Sequence, residues 1–292
     1  MSTVDVVIVA YNSRDRIRDC VTPLLELDWV RTIVVDNASP DRSGDAVDDL
    51  PLTLLRAGEN RGFGAGCNLG WRAGSAPAVL FLNPDATISG DSLRSLASVL
   101  DAEPSTGIVG PRITDEGGAL DFSICRFPRL RSTFAQGLFA HRLVPGADWT
   151  DEVVRDAARY DESGDANWLS GACLLVRRRL LEELEGFDEG FFMYCEDTDL
   201  CRRTWDVGRS VRFVAEAKAE HEGGQSAPRS SLLPVLARSR VLYAGRHRGR
   251  TAAATERFGV ALGALTHAAV GRGGRSTRSG HLAAAVTALK PA

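Results

Sequence analysis

The first hundred residues alternate short runs of β-branched and aliphatic side chains with longer stretches in which polar positions dominate. Residues 4–10 form an almost unbroken apolar run holding one charge, Asp5, the pattern of a strand buried on both faces of a parallel sheet. A polar helical stretch follows over about residues 13–27, and further strands are expected at 32–35, 52–55 and 78–82. Strands separated by helical segments of this length predict an α/β fold with a mainly parallel central sheet flanked by helices. Ligands of such sheets bind beyond the carboxyl ends of the strands. Polar residues gather there, in Tyr11-Asn12, Asp36-Asn37 and Asn83-Pro84-Asp85.

The pattern is less regular downstream. Residues 107–113 read as a strand, and 114–166, rich in Gly, Pro, Arg and Asp, as a long excursion. A buried strand is expected at 168–176 and a short helix at 177–185. The turn 186–190 then leads through the aromatic patch 191–194 into a helix that begins near Glu196. After Gly223-Gly224 the composition shifts to an alanine-rich helical tail, so the chain divides into residues 1–225 and an extension, 226–292. No internal repeat is present.

Composition excludes several classes. With 44% hydrophobic and 25% charged residues the chain is too apolar for a disordered one, and its length supports a core without staples. Six scattered cysteines without a C-x-x-C pair argue against a zinc ribbon or a disulfide framework and for reduced, cytoplasmic thiols. No signal peptide is read at the start, and the apolar stretch 258–270 is too short to span a bilayer. The net charge of −3 hides an asymmetry: residues 226–292 hold ten arginines and Lys290 against one acid, Glu256, leaving −13 on the rest. Such a tail either seeks an anionic partner or is a solvated basic helix pair.

Four segments carry candidate chemistry. The glycine cluster 60–70 is no dinucleotide fingerprint, because it follows the third strand and has Leu69 where the last glycine belongs; no P-loop occurs either. What remains is a glycine-lined helix start whose backbone can approach a nucleotide or its phosphates, or a tight loop packed for its own sake. Asp85, after the proline turn at Pro84, is placed to hold a hard cation bridging a diphosphate, or simply closes a turn. Glu196, Asp197 and Asp199 stand within four positions at a helix start behind an aromatic ledge. Helix capping uses acids there, but three exceed its need. One carboxylate able to take a proton from an acceptor hydroxyl is what a direct-displacement transferase requires. His221 lies between two acids, and is either a ligand or a solvated side chain. Neither H-E-x-x-H nor G-x-S-x-G is present.

Taken together, 9–13, 34–39, 60–70, 81–85, 171–178, 186–189, 196–201 and 221–224, in this order and spacing, resemble the inverting glycosyltransferases of nucleotide-sugar family 2. The resemblance covers about residues 4–226 and is nearest to the bacterial rhamnosyltransferase-like branch acting on cell-wall and surface glycans. It implies a GT-A fold, Rossmann-like, with a C-terminal helical extension. It assigns Ala10, Tyr11, Asn12, Asp36, Asn60, Arg61, Gly62, Gly64, Asn83 and Asp85 to the donor, and Asp85 with His221 to Mn2+ or Mg2+. Asp85 stands for the last Asp of the family's D-x-D motif, with Asn83 where the first would be. Asp197 is assigned as the base, with Glu196, Tyr194 and Trp168 lining the acceptor. The implied reaction moves L-rhamnose from dTDP-rhamnose to a hydroxyl of a glycan or lipid-diphosphate. The alternatives are a UDP-sugar (galactofuranosyl or N-acetylhexosaminyl) transferase or an inactive sugar-nucleotide-binding scaffold. Nucleic acid is not expected as a partner. The chain is expected in the cytoplasm, with its tail either peripheral on the inner face of the membrane or forming a homodimer.

Overall fold

The computed structural model describes residues 3–144, 147–223, 228–270 and 274–290; the boundary expected at 225–226 lies outside the described residues. The chain runs β1 (Val4–Ala10), α1 (Ile17–Leu25), β2 (Val30–Asp36), β3 (Thr53–Arg56), α2 (Phe63–Ala73), β4 (Ala78–Leu82), β5 (Ala86–Ile88), α3 (Gly90–Ala102) and β6 (Thr106–Thr114). The excursion holds β7 (Leu120–Asp121), β8 (Ile124–Cys125), α4 (Leu130–Gly137), α5 (Ala140–Leu143) and β9 (Gly164–Asp165). There follow β10 (Trp168–Leu169), β11 (Cys173–Arg177), α6 (Arg178–Glu183), α7 (Glu196–Asp206), β12 (Ser210–His221), α8 (Arg229–Val270) and α9 (Arg275–Leu289).

The main sheet has the order β3-β2-β1-β4-β11-β6-β12-β5. Strands β1 to β4 are parallel, β11 is antiparallel to both neighbours, and β12 is parallel to β6. The winding reverses between β1 and β4, the crevice where ligands of open α/β sheets collect. All seven residues of β1 are buried because both faces are covered. Val4, Val6 and Ile8 join α1 and α3 in one core, and Val7 and Val9 join the α2 side in the other. The charge within the strand is paired: Asp5, 1% exposed, accepts from Arg178 Nη2 at 2.7 Å and from the Ala76 N–H at 2.7 Å.

Helix α2 approaches β1 through glycines. A Cβ at Gly66 would lie 2.7 Å from Val9 Cγ1, and one at Gly70 2.3 Å from Val7 Cγ1. These two residues, four apart, occupy one helix face.

The expected strand 168–176 is broken. Leu169 pairs with β8, the chain turns at 170–172, and only Cys173 onward enters the main sheet. The break is held from outside: Ser170 N–H bonds to Ser123 O, and Asn83 N–H to Ala172 O. Among the elements beyond the sequence expectation are β5, α3, β12 and the short strands and helices of the excursion. β12 alternates buried and open positions only in part, and its register shifts between Val214 and Lys218.

The tail is helical and packs against the body. Gly249, at φ 82°, breaks α8 into two arms, and Ala237, Ala261 and Ala264 cluster with Ala284, Ala285 and Ala288 of α9. Arg240 reaches Glu152 of the excursion at 2.6 Å and Glu256 of the second arm at 3.2 Å, while Arg248 holds Glu256 at 2.8 Å. All six cysteines are free and buried.

Close packing of α2 on β1 yields a stability test. Gly70→Ala is expected to cost about 1–3 kcal/mol, the usual price of overpacking a filled core, in denaturant unfolding. Gly58→Ala, with no atom within 4 Å of the added carbon, is expected to leave the midpoint unchanged.

Candidate active site

Three polar clusters meet at the carboxyl ends of the strands. The first rims β1 and β2. Asn37 N–H donates to Ala10 O at 3.0 Å. Asp36, 6% exposed, accepts from the Ser39 N–H at 2.8 Å and the Gly44 N–H at 3.0 Å, with Arg56 3.5 Å away. Asn12, in the left-handed region at φ 51°, donates its N–H to Ser39 Oγ, and Tyr11 is half-buried beside it. Asn60 Oδ1 accepts from the Gly62 N–H at 2.9 Å and from Asn37 Nδ2 at 3.1 Å. Arg61 pairs with Glu189 at 2.7 Å. At Gly62, φ 99°, a Cβ would lie 2.1 Å from the Phe192 carbonyl oxygen, which accepts the Phe63 N–H. At Gly64 it would touch Phe187 at 3.1 Å. The glycines of the loop thus bring α2 against the segment that leads to α7.

The second cluster joins the end of β4 to the end of β12. His221 Nε2 lies 3.3 Å from Asp85 Oδ1 and 3.1 Å from Asn83 Nδ2. Burial acts to raise Asp85, but the His221 hydrogen bond and charge prevail and hold the carboxyl below its ordinary value. The adjoining cavity of about 110 Å³ is also lined by Arg16, Glu116 and Glu222, and Arg16 pairs with Glu222. Among the described residues no three metal-ligating side chains cluster. Asp85 and His221 are thus two donors that could hold a hard cation, a set that suits an ion taking its remaining ligands from a diphosphate and water.

The third cluster is the start of α7, which separates the three acids. Asp199 is taken up internally by Arg203 at 2.8 Å and His247 at 2.7 Å. Glu196 is 6% exposed, and its Oε2 has no hydrogen-bond partner. Asp197 stays partly exposed, oriented by the Gly171 N–H at 2.9 Å and the Thr198 N–H at 2.7 Å. Burial, followed by the Asp197 charge, pushes Glu196 up to about 8. Burial also raises Asp197, against the pull of those N–H groups. The turn 170–172 connects the second and third clusters, since Ala172 O receives Asn83 N–H while the adjacent Gly171 N–H serves Asp197. Tyr194 is half-buried at φ 68°, and Trp168 spends its indole N–H on Arg126 O at 2.9 Å. Gly171 and His247 escaped the sequence reading. Gly171 sits inside a matched motif, but nothing in the pattern around His247 points to α7.

The fold is that of the GT-A glycosyltransferases. Mannosyltransferase PcManGT from Pyrobaculum calidifontis, solved with GDP-Man and Mn2+, superposes with a TM-score of 0.59 at 18% identity over 99% of this chain and 87% of that one. Residues 5–184 match the family model for glycosyl transferase family 2. N-acetylglucosaminyl-diphospho-decaprenol L-rhamnosyltransferase of Mycobacterium tuberculosis is 31% identical over 236 residues, 75% of this chain and 76% of the relative. Rhamnosyltransferase WbbL of Escherichia coli is 30% identical over 147 residues, 49% and 51% of the two chains. The chain belongs to glycosyl transferase family 2. The family, fold and enzyme class implied by the sequence resemblance are borne out.

The buried Glu196 makes stability depend on pH. Its folded-state value lies above the ordinary 4.5, so between about 4.5 and 8 the unfolded chain binds fewer protons and stability falls as pH rises, by at most about 1.4 kcal/mol per pH unit. Glu196→Gln removes this penalty. Its melting temperature is expected to exceed that of the wild type at pH 8 and to converge with it towards pH 5; a constant gap would count against a neutral Glu196.

Proposed function

We propose that the enzyme transfers L-rhamnose from dTDP-rhamnose to a hydroxyl of an N-acetylglucosaminyl-diphospho-lipid, inverting the anomeric carbon. The observation that carries the chemistry is Asp197, the one partly exposed carboxylate of the three that open α7, aimed by the Gly171 N–H on the same turn that fixes Asn83 at the cation corner. Sugar and acceptor rest on the likeness, over three quarters of both chains, to the mycobacterial rhamnosyltransferase.

Tyr11, Asn12, Asp36, Asn60, Arg61, Gly62 and Gly64 hold the nucleoside and its phosphates along the first rim. Both Asp36 oxygens already accept backbone N–H groups, but a carboxylate has room for a further donor, the N3–H of thymine or uracil. Asp85 and His221, with Asn83 beside them, hold Mn2+ or Mg2+, which when bound neutralises charge on the departing diphosphate. Asp197 takes the proton of the acceptor hydroxyl as that oxygen attacks, and its raised basicity favours the transfer. Glu196, kept protonated by burial, adds no second negative charge, and Tyr194 and Trp168 wall the acceptor. With one base and no protein nucleophile, a single displacement inverts configuration.

A lipid-linked acceptor brings the enzyme to the cytoplasmic face of a membrane, and we assign the contact to the tail. Phe258 and Leu265 on the second arm of α8, and Leu282, Val286 and Leu289 on α9, are exposed at helical spacings that give each helix an apolar stripe. Arg240, Arg246 and Arg248 are paired with Glu152, Asp188 and Glu256, but the tail's one acid, Glu256, is fully buried, so the outer surface of the tail carries basic side chains and no acid of its own. A homodimer through this face would oppose like charges, whereas an anionic lipid surface attracts them. Among the described residues no helix is long and apolar enough to cross a membrane, which suits lying on it.

Three experiments test this reading. With dTDP-rhamnose, UDP-sugars and a polyprenyl-diphosphate acceptor, transfer is expected from dTDP-rhamnose and is expected to fall about 100- to 10,000-fold in Asp197→Asn while donor binding persists. Asp85→Ala and His221→Ala are expected to weaken donor binding in manganese far more than in EDTA. Equal losses in both media would refute the cation site. In vesicle co-sedimentation, binding to anionic lipid is expected to weaken with salt and in Phe258→Ser/Leu282→Ser; a concentration-dependent mass without lipid preference would mean a dimer.

A further inference from the structure

The segment that delivers Asp197 is backed by one face of α8. Ser239, Tyr243, Arg246 and His247 lie on its first arm at spacings that place them on a common side. Ser239 Oγ donates to Met193 O at 2.7 Å, and Tyr243 clusters with Phe191 and Cys195. Arg246 Nε lies 2.9 Å from Asp188, and His247 Nε2 donates to Asp199 Oδ1 at 2.7 Å. All four contacts fall between residues 188 and 199, around Tyr194 and Cys195, consecutive non-glycine residues at φ 68° and 65°. Such conformations persist only where the surroundings over-determine them, and this face of α8 forms one side of those surroundings.

Asp199 is the link to the chemistry. It stands in the first turn of α7, two residues after Asp197, with Oδ2 held by Arg203 Nε at 2.8 Å and Oδ1 by His247. The carboxylate is 2% exposed and the imidazole 10%, so the geometry of the pair is not loosened by solvent. Resting on the proposed role of Asp197, we infer that His247 is a positioning residue for the base. Through Asp199 it fixes the rotation of the first turn of α7, and hence the direction in which Asp197 faces the acceptor. The match to the family model ends at residue 184, short of α7 and of the helix that aligns it.

The test compares His247→Ala with His247→Gln in the full chain, since glutamine can offer an amide N–H near the position of Nε2. With dTDP-rhamnose and a short-chain polyprenyl diphosphate bearing N-acetylglucosamine, the alanine variant is expected to lose about 10- to 100-fold in kcat, the scale set by misplacing a reacting group. Donor KM is expected to change little, the melting temperature to fall with the lost buried hydrogen bond, and glutamine to restore most of the rate. An unchanged kcat in His247→Ala, a glutamine variant no better than alanine, or a loss confined to KM and melting temperature overturns the inference. Should His247→Ala not fold, Ser239→Ala removes one hydrogen bond from the same face. Its kcat is expected to fall by a smaller factor, and an unchanged value overturns the role of this face. Hydrogen exchange over residues 192–200 reads the same point without substrate: protection is expected to drop in alanine and return in glutamine, and equal protection in all forms overturns the inference. Full activity in Asp197→Asn would instead remove the base assignment, whereas an inactive Asp197→Asn beside an unaffected His247→Ala would remove the positioning role alone.

Discussion

The hydrogen bond from the Gly171 N–H to Asp197 joins the two halves of the site. A carboxylate at a helix start can swing on its own side-chain torsions; one that accepts from a backbone group of the sheet's own turn cannot. That turn also receives the Asn83 N–H. The end of β4, the corner formed by Asp85 and His221, and the start of α7 are thus spaced by main chain rather than by long side chains. Rigid spacing matters because a transferase must align a donor, a departing diphosphate and an attacking hydroxyl along one line.

Much of this was legible in the sequence, for a physical reason. Strands β1, β2 and β4 are covered on both faces, so they read as apolar runs without help from context. Asp85 and His221 were also singled out, 136 positions apart, and the fold brings them within 3.3 Å. What escaped depends on distant partners. β12 carries Ala, Glu and Lys among its apolar positions and shifts register midway, so its period is blurred. The break in 168–176 is imposed by Ser123, Asn83 and Asp197, none of them local. The three acids of α7 look equivalent as letters. Only tertiary contacts make one an internal ion-pair partner, one a buried acid and one a partly exposed carboxylate.

The basic tail shows the same limit on a larger scale. Its charge excess was evident, but part of it is spent inside the molecule. Arg240 and Arg248 neutralise Glu152 and Glu256 in a buried network that ties both arms of α8 to the excursion. Removing one member of such a network leaves a buried charge without a partner, which costs far more than the network adds to stability. The arrangement therefore secures one relative placement of excursion and tail more than it deepens the energy well.

The six buried thiols have a practical consequence. Burial raises each of them, and only the thiolate reacts quickly with electrophiles. Each cysteine is therefore silent while its own region stays closed. They are spread over different parts of the chain: Cys20 in α1, Cys67 in α2, Cys125 in the excursion, Cys173 in the sheet, Cys195 behind the aromatic segment and Cys201 in α7. The native sequence thus carries its own set of opening reporters. The rate at which each sulfur is alkylated ranks how often its region breathes, without an added label or an altered residue.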